Sequence, residues 1–558
     1  MNLRRTSIYS PLRSLRKLQV VLLSLITCAL SLSAAKQPNI IFFLVDDYDK
    51  PEASPYGGNV LTPNLDRLAR EGMLFNNAYV TSTVCTPSRY TMLTGRYAGS
   101  SHSNKFLKDF PLGTQSLPGF NVALEDDNMN VGAVLAQNGY ATGFVGKYHV
   151  GPEHDEGYYQ QHGIQSYAKN AEYTEQLNKH KFNNEKIYRE LIKERGFTWA
   201  KNIYWGNMKA PFKGHNPEWT TAAAVEFLEE HKNQPFYLHV CSTLLHGPNR
   251  EWHSSLTTKE LMSGEGILKK PINSQPSRES VLKRVKEAGL TEEEVGYTWM
   301  DDSVGVLLDK LDELGIADNT IFVFVADHGS NNKGSVFRTR GMEVPCIIRW
   351  PNGIKAGTVT DELMQSTDFV ATWFDVTGAK VPEGYPMDGI SFSSLFKTPN
   401  KPYREYIYGE MGSARAIKTK EWNLVTLRYP EEIIAGGDRK AKALAGLSAG
   451  ISRAGYSQPH ACEADQLYNL VQDPTEQNNL AYSPEYASQL KSMKQELTKI
   501  LKQFPDRPYG ELVPGGNARG PEETEQILQS VKKYYEPESK DQKSKKSKQN
   551  KKSKKSKK

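Results

Sequence analysis

The chain has 558 residues, of which 38% are hydrophobic, and a formal net charge of +6. This length leaves room for two domains and a large core. The positive charge lies at the two ends, since residues 1–35 contribute +5, residues 540–558 contribute +10, and residues 36–539 carry −9. An acidic body argues against nucleic-acid binding by electrostatic attraction, so we expect no nucleic-acid partner.

The N-terminus has the pattern of a secretory signal peptide. Basic residues precede an apolar run over residues 18–32, and small residues follow up to Ala35. This order predicts a signal peptide at residues 1–35 and a secreted or periplasmic protein. A membrane anchor is the alternative, but the run is short and contains polar residues. Cys28 is a weak match to a lipoprotein signal, and no later stretch predicts an integral membrane segment.

Strand and helix patterns alternate through the first 330 residues. Apolar runs predict strands, three of them covered on both faces, at residues 39–45, 141–149, 235–241 and 319–325. Helical spacing and end signals predict helices at residues 62–72, 131–137, 221–231 and 300–314. This alternation predicts an α/β fold with a mostly parallel sheet. Residues 100–128 read as a loop, and residues 153–215 as an insertion over a cleft or as plain surface packing.

The pattern changes after about residue 400. Short alternating segments predict antiparallel strands at residues 406–411, 414–418 and 423–429. A Gly/Ala/Lys-rich stretch at 436–457 reads as a long loop, and residues 483–504 as an amphipathic helix. A smaller α+β domain, made of an antiparallel sheet plus a helix, is therefore expected.

These patterns divide the chain into five parts. We expect a signal peptide (1–35), a catalytic domain (36–400), a C-terminal α+β subdomain (401–510), an extension (511–535) and a disordered Lys/Ser-rich tail (536–558). The tail is expected to be a solvated segment. Attraction to an anionic polysaccharide is the second hypothesis for it.

The most specific stretch is Val84–Arg96. Thr86 can cap a helix, Pro87 suits its first position and Gly95 suits its end. Cys85 is therefore predicted just before a helix N-terminus, where backbone N–H groups favour an anion. Arg89, one turn later, adds guanidinium N–H donors in a planar arrangement that suits an oxyanion.

Cys85 has other interpretations. An isolated cysteine is usually a small buried hydrophobic residue. A tyrosine-phosphatase loop fits poorly, because it needs five residues between Cys and Arg and here there are three. If Cys85 serves chemistry, three cysteines remain after residue 35, an odd number that does not suggest a disulfide framework: Cys241, Cys346 and Cys462.

Polar groups follow several predicted strands. They are Asp46 and Asp47, Lys147 with His149, His246, and Asp327 with His328. Ligands of open α/β sheets bind beyond the carboxyl ends of the strands, so these groups are expected to converge. Three crowded carboxylates need a cation, and oxygen ligands favour Ca²⁺ or Mg²⁺. Together with Cys85 they indicate an oxyanion-transfer site.

The stretch from Cys85 resembles the signature of type I sulfatases, C-x-P-S-R followed by x-x-L-T-G-R. Further blocks are similar to that family in the same order, over nearly all of residues 36–505: 39–47, 62–96, 139–151, 327–329, 465–470 and 473–474. The resemblance implies an alkaline-phosphatase-like fold, in which helices sandwich a mostly parallel sheet. It also implies the activity, hydrolysis of sulfate esters.

The resemblance implies a mechanism. A maturation enzyme would convert Cys85 to formylglycine, whose hydrate attacks sulfur and releases the alcohol. The family's ligand set, carried onto this sequence, would hold Ca²⁺, with Mg²⁺ possible: Asp46, Asp47, Asp327, His328 and the modified Cys85. Arg89 and His149 would orient the hydrate. Lys147, Lys333 and His246 would surround the sulfate, with His246 placed to protonate the leaving alcohol.

The chain departs from the family pattern at three sites. His328 stands where Asn is commoner, and Lys333 follows Asp327 unusually soon. Residues 338–345 lack the family's usual Glu-Gly-Gly and are one residue longer, so Arg338 or Arg340 could replace Lys333. Arg250, Trp252 and His253 follow His246 closely and could contact a substrate, with Trp252 stacking on a sugar ring; ordinary packing is an equal alternative. His102 and His154 are candidates on the same basis.

These observations predict a secreted, metal-dependent sulfatase that hydrolyses sulfate esters, with a sulfated carbohydrate as substrate. A phosphodiesterase or phosphonate monoester hydrolase of the same superfamily is one alternative. A carbohydrate-binding relative without activity, in which Cys85 stays unconverted, is the other.

Overall fold

The structure, a computed structural model, describes residues 37–152, 155–168, 170–331, 333–435 and 458–535. The predicted signal peptide, His154, the predicted loop at 436–457 and the Lys/Ser-rich tail lie outside these residues. Within the described part, no helix is both long enough and apolar enough to cross a membrane.

An eight-stranded sheet forms the larger part of the fold. Its strands, given in their spatial order, are β10 (Thr358–Gln365), β2 (Met73–Tyr79), β9 (Cys346–Arg349), β8 (Thr320–Ala326), β1 (Asn39–Val45), β5 (Phe236–Cys241), β3 (Ala141–Lys147) and β4 (Trp199–Tyr204). All are parallel except β9, which runs antiparallel to its neighbours β8 and β2. The prediction of an α/β fold with a mostly parallel sheet is confirmed.

The central strand β1 shows why this sheet forms. All seven of its residues are buried, and since successive side chains point to opposite faces, both faces must be covered. Phe42 stacks on His239 with centroids 5.0 Å apart and meets Phe369 and Trp373 edge-on at 5.0 and 6.4 Å. The continuous apolar runs of the sequence are therefore strands enclosed by helices.

The helices that accompany the sheet follow the strands along the chain. They are α1 (Pro63–Glu71), α2 (Cys85–Thr94), α3 (Asn104–Asp109), α4 (Val131–Gln137), α5 (Glu156–His162), α6 (Glu175–Glu194), α7 (Pro217–His231), α8 (Asn249–Thr257), α9 (Arg278–Glu287), α10 (Val295–Glu313) and α11 (Asp368–Thr377). A small hairpin, β6 (Leu261–Ser263) and β7 (Gly266–Leu268), lies between α8 and α9.

Two stretches differ from their predictions. The loop at 100–128 contains the short helix α3, because the Ser103 hydroxyl accepts a hydrogen bond from the Phe106 N–H at 3.4 Å and caps it. The stretch at 153–215 is only in part an insertion. It contributes α5 and α6, but it also supplies β4, which pairs with β3 as the edge strand of the main sheet.

The second sheet has four antiparallel strands: β11 (Ile407–Met411), β12 (Ala414–Lys418), β13 (Trp422–Leu427) and β14 (Asp465–Asn469). Helix α13 (Ala487–Leu501) covers it and buries Leu497 and Leu501 against Ile417 and Leu424. This confirms a smaller C-terminal α+β unit. The chain continues into two further helices, α12 (Glu431–Ala435), which precedes β14, and α14 (Pro521–Tyr535), which lies in the predicted extension.

We expect Phe42→Ala to lower the free energy of unfolding by about 3–5 kcal/mol, because it opens a cavity between three buried rings. Urea denaturation followed by tryptophan fluorescence measures this change. Val359→Ala, on edge strand β10 where the side chain is 47% exposed, is the control and should have a small effect. Equal effects of the two substitutions would contradict the role of β1 as the centre of the core.

Candidate active site

The polar groups predicted to converge do lie at neighbouring strand ends. Asp46 and Asp47 follow β1, and its two neighbours β5 and β8 lead to His246 and to Asp327 with His328. Lys147 is the last residue of β3, which pairs with β5. Because these strands are parallel and adjacent, their carboxyl ends bring the groups to one edge of the sheet.

Helix α2 brings Cys85 to this edge. The helix begins at Cys85 with Val84 as the N-cap residue, so the predicted cap at Thr86 is wrong by two positions. Val84 is extended, and its carbonyl accepts the Ser88 N–H at 3.2 Å, which starts the helix earlier than the side chains suggested. Gly95 ends the helix in the left-handed region with φ 68°, as predicted.

The Cys85 thiol lies among four charged groups. Its Sγ is 3.4 Å from His328 Nε2, 3.5 Å from Lys147 Nζ, and 3.6 Å from both Asp46 Oδ1 and Lys333 Nζ. Burial and Asp46 would raise the pKa of this thiol, but Lys147 and Lys333 outweigh them and lower it. Burial instead raises the pKa of Cys241 to about 12, so Cys85 has the stronger thiolate character of the two.

Arg89 joins two strand ends to the helix. Its guanidinium contacts Asp327 Oδ2 through Nε at 3.1 Å and NH2 at 2.9 Å, and NH2 lies 3.3 Å from Asp46 Oδ2. Its NH1 donates to the Lys147 carbonyl at 3.1 Å. Arg89 is 1% exposed and both carboxylates are fully buried. The guanidinium therefore compensates the negative charge of two carboxylates that are not hydrated.

Asp47, His328 and Lys333 form the other side of the site. Lys333 Nζ lies 2.7 Å from Asp47 Oδ1, and His328 Nδ1 lies 3.2 Å from the same oxygen. The Asp47 N–H donates to Asp327 Oδ1 at 3.1 Å. Arg338, an alternative to Lys333, instead lies 3.5 Å from Glu343. These contacts favour Lys333 over Arg338 at the site, and the side chain of Arg340 lies outside the described part.

The charges of the site decide the carboxylate pKa values. Burial would raise the pKa of Asp46, but Lys147, which donates a hydrogen bond to it, and Arg89 hold it well below its ordinary value. The pKa of Asp47 is raised, because burial outweighs the opposing charges of Lys333 and His328. Asp46 is thus the more firmly ionised of the two adjacent acids.

Four side chains are arranged as metal ligands could be. Single donor atoms of Asp46, Cys85, Asp327 and His328 all lie within 4.8 Å of one another. His328 Nδ1 is 3.0 Å from the Gly329 carbonyl and 3.2 Å from Asp47, contacts that suit a proton on Nδ1 and leave Nε2 for a metal. Burial opposes charge on His328, yet Asp327 and Asp47 raise its pKa to about 9. A divalent cation between the same carboxylates would compete with that extra proton.

A cavity of about 350 Å³ opens beside these groups. Asp46, Lys147 and His246 line it, and so do His215 and Thr243. Burial, then the charge of Lys147, lowers the pKa of His246 to about 3, which favours the neutral imidazole at neutral pH. A sulfate ester beside Lys147 would add negative charge and raise that pKa.

Sequence reasoning missed His215. Its Nδ1 lies 3.0 Å from the Thr243 hydroxyl, and His215 lines the cavity together with His246. His215 thus holds the start of the turn that carries His246. The only available signal was the Gly214–His215–Asn216 stretch before helix α7, inside a region interpreted as an insertion.

The remaining predicted residues are dispersed. His149 is buried, with φ 53° and its ring centroid 6.1 Å from that of Phe120. Trp252 is 3% exposed and packs edge-on against Tyr297 at 5.4 Å, a position that agrees with the alternative of ordinary packing. His253 lies 3.2 Å from Glu292.

The other two candidates are exposed. Arg250 lies on helix α8. His102 lines a separate cavity of about 610 Å³ that also includes Asp127 and Arg195, so it does not join the cavity beside Cys85.

Comparison with known proteins decides the family. A sequence model described as sulfatase matches residues 38–379, which is more than half of the chain. The chain belongs to the sulfatase family. A second model, the C-terminal part of N-sulphoglucosamine sulphohydrolase, matches residues 326–436. The sulfatase is therefore a sulfuric ester hydrolase, as its sequence predicts.

Individual relatives agree with this assignment. An ulvan-active sulfatase of Formosa agariphila is 26% identical, over 84% of this chain and 80% of its own. An N-acetylglucosamine-6-O-sulfatase of Bacteroides thetaiotaomicron is 25% identical, over 88% of this chain and 91% of its own. Neither relative supports the phosphodiesterase, phosphonate hydrolase or non-catalytic alternatives.

Solved structures share the fold. One, a complex with D-glucosamine-2-N,6-O-disulfate as substrate, aligns with a TM-score of 0.54 at 21% identity. The alignment covers 84% of the sulfatase and 99% of that chain.

We expect Arg89→Met to lower the free energy of unfolding by about 3–5 kcal/mol in metal-free buffer, because it leaves two buried carboxylates without their shared cation. Arg89→Lys should be intermediate, since an ammonium cannot reproduce the planar guanidinium donors. Urea denaturation followed by circular dichroism measures both. Arg70→Met, at an exposed position of helix α1, is the control, and an Arg89→Met effect no larger than this control would refute the bridging role.

Proposed function

We propose that this sulfatase removes sulfate from a sulfated carbohydrate and that Cys85, converted to formylglycine, is its nucleophilic residue. The arrangement that carries the proposal is the Cys85 Sγ within 3.6 Å of Lys147, Lys333, His328 and Asp46. The two lysines place positive charge around Cys85, which suits a sulfate. The other two side chains are potential metal ligands next to Cys85. The carbohydrate substrate is supported by the two curated relatives, whose names refer to ulvan and to N-acetylglucosamine.

The conversion of Cys85 needs an oxidising maturation enzyme as a partner. The hydrated aldehyde would supply a hydroxyl nucleophile for the sulfur atom, which a thiol does not. Cys85 lies at the first turn of α2, and its surroundings are cationic. Such surroundings would stabilise an anionic oxygen at the same position.

The other roles belong to the surrounding side chains. Lys147 and Lys333 would bind sulfate oxygens and offset the charge that develops on them. Arg89 would hold the position of helix α2 against Asp327, and His149 would help to orient the nucleophile. His246, which lines the cavity with Lys147, would donate a proton to the departing alcohol oxygen. His215 would keep His246 in place through its contact with Thr243 at the same turn.

We propose Ca²⁺ as the resident metal, with Mg²⁺ as the alternative. Asp46, Asp47, Asp327 and His328 would hold it together with the modified Cys85. The three aspartates are oxygen donors, which hard cations prefer. The ion would supply charge stabilisation for the sulfate.

The proposal includes export and a division of the chain. The pattern of residues 1–35 supports a signal peptide and a secreted or periplasmic enzyme. A catalytic domain over residues 36–400, a C-terminal subdomain over 401–510, an extension over 511–535 and a tail over 536–558 remain the proposed organisation.

We expect Cys85→Ala to lower kcat/KM by about 10⁴-fold or more, because it removes the nucleophile, while the circular dichroism spectrum stays unchanged. The assay uses an aryl sulfate, ulvan oligosaccharides and the 6-sulfates of N-acetylglucosamine and N-acetylgalactosamine. Mass spectrometry should show that the Cys85 peptide of protein made with a maturation enzyme has lost sulfur and two hydrogens and gained oxygen. Cys462→Ala, at a half-buried cysteine, is the control. Full activity of Cys85→Ala would remove the mechanism.

A second test measures metal binding without turnover. Calcium at about 100 times its dissociation constant should raise the free energy of unfolding by about 2.7 kcal/mol. Asp327→Asn should remove most of this gain, because it removes a ligand charge, and Asp318→Asn, at an exposed position, should retain it. Thermal unfolding with and without chelator, repeated with Mg²⁺, shows which of the two ions stabilises the protein. Stabilisation that is equal in both variants would place the ion elsewhere.

A further inference from the structure

A second cavity adjoins the one beside Cys85. It has a volume of about 300 Å³, at the lower end of the range for small-ligand sites. The two cavities share the residues 206–208, which line both of them. A ligand whose sulfate lies near Lys147 could therefore extend past these residues into the second cavity.

The second cavity contains a largely buried lysine that no residue in the described part of the chain binds through a hydrogen bond. Lys181, on helix α6, is 8% exposed and lines the cavity. Its Nζ lies 5.9 Å from the centroid of the Tyr167 ring, and none of the described residues accepts a hydrogen bond from it. An ammonium on a largely buried side chain, confined to a cavity, keeps little of its hydration and gains from a charged partner, so this arrangement suits an anion from outside the chain.

The nearest acid does not neutralise this ammonium. Glu185 is fully buried, but its Oε1 accepts hydrogen bonds from Arg189 Nε at 2.8 Å and from the Ile203 N–H at 2.9 Å. Lys209 lines the same cavity, and its positive charge disfavours the charged form of Lys181. Burial, despite Glu185, lowers the pKa of Lys181 to about 8, which leaves the group mostly charged at neutral pH.

The rest of the lining suits a sugar ring. Tyr159 and Tyr167 are partly exposed at the cavity, and Tyr188 stacks on Trp205 beneath them with centroids 4.7 Å apart. Aromatic side chains offer flat apolar surface with polar atoms at the edge, which matches the faces and hydroxyls of a pyranose. The one acid in the lining, Glu156, is exposed and is therefore well hydrated.

We propose that this second cavity binds the sugar next to the one that carries the reacting sulfate, and that Lys181 selects a neighbouring sugar with its own carboxylate or sulfate group. This inference rests on the proposed carbohydrate function. It names the class of substrate: an anionic oligosaccharide in preference to a sulfated monosaccharide. Lys181 acts on specificity and stays apart from the reacting atoms.

The test measures binding in protein carrying Cys85→Ala, so that the ligand is not consumed. Four probes contain the same unit, N-acetylglucosamine 6-sulfate: the monosaccharide, and disaccharides with galactose, with a uronic acid and with a sulfated galactose. We expect at least one anionic disaccharide to bind more tightly than the galactose disaccharide. Adding Lys181→Met should reduce that preference about tenfold, the size of one charge-assisted hydrogen bond. Isothermal titration calorimetry gives the four dissociation constants.

Two matched variants control the experiment. Lys186→Met makes the same replacement on the same helix, at an exposed lysine that lies over the Phe182 ring, and should keep the preference. Lys181→Arg retains the positive charge and should keep most of it, which separates loss of charge from a damaged fold. Thermal unfolding of each variant checks the fold.

The outcomes distinguish a failure of this inference from a failure of the proposed function. If the monosaccharide binds but neither anionic disaccharide binds more tightly than the galactose one, the second site is refuted and the sulfatase proposal stands. A preference that survives Lys181→Met refutes the role of Lys181. If none of the four probes binds, while the enzyme with converted Cys85 hydrolyses the aryl sulfate, N-acetylglucosamine 6-sulfate is refuted as the reacting sugar, and this inference is refuted for it while the sulfatase activity stands.

Discussion

The charge balance around Asp46 and Asp327 is the constraint on which the rest of this site depends. Both carboxylates are fully buried, where an unpaired charge would be strongly destabilising. Arg89 contacts both of them, and Lys147 adds a second cation at Asp46. Each of these four side chains comes from a different segment of the chain. Neutralising the carboxylates therefore holds three strand ends and one helix together, and the same cations surround Cys85.

The C-terminal sheet contributes to this balance from a distance. The segment that follows β8 carries Lys333 and then passes close to β12 and β14. Lys418, on β12, donates to the Val336 carbonyl at 2.7 Å, and Glu476 accepts the Arg338 N–H at 3.0 Å. The main chain on the C-terminal side of Lys333 is thus anchored to the second sheet. Phe337 packs on Tyr468 of β14 with centroids 6.1 Å apart, which adds an apolar contact to the same segment.

The two adjoining cavities together form a candidate binding site that is larger than the group of side chains around Cys85. Lys147 lines the first cavity and Lys181 lines the second, while Lys333 Nζ lies 3.6 Å from the Cys85 Sγ. Positive charge therefore extends beyond the proposed position of the reacting sulfate, although residues 36–539 as a whole carry −9. A local field of this kind attracts an anionic ligand more effectively than net charge does.

Much of this protein could be predicted from the sequence alone. Apolar runs give buried strands because each residue must fit a covered face, and the groups after β1, β3, β5 and β8 meet because parallel strands end at one edge. The same reasoning, or family resemblance, identified the candidate site residues that the structure brings together: Cys85, Asp46, Asp47, Lys147, Asp327, His328 and Lys333. The tertiary structure decided the rest. Contacts between distant segments determine four features: the start of α2 at Cys85, the burial of Trp252, the contact of His215 with the turn before His246, and the burial of Lys181 away from any acceptor among the described residues. Such contacts leave no local pattern, because burial and pairing are properties of the packed chain rather than of neighbouring residues.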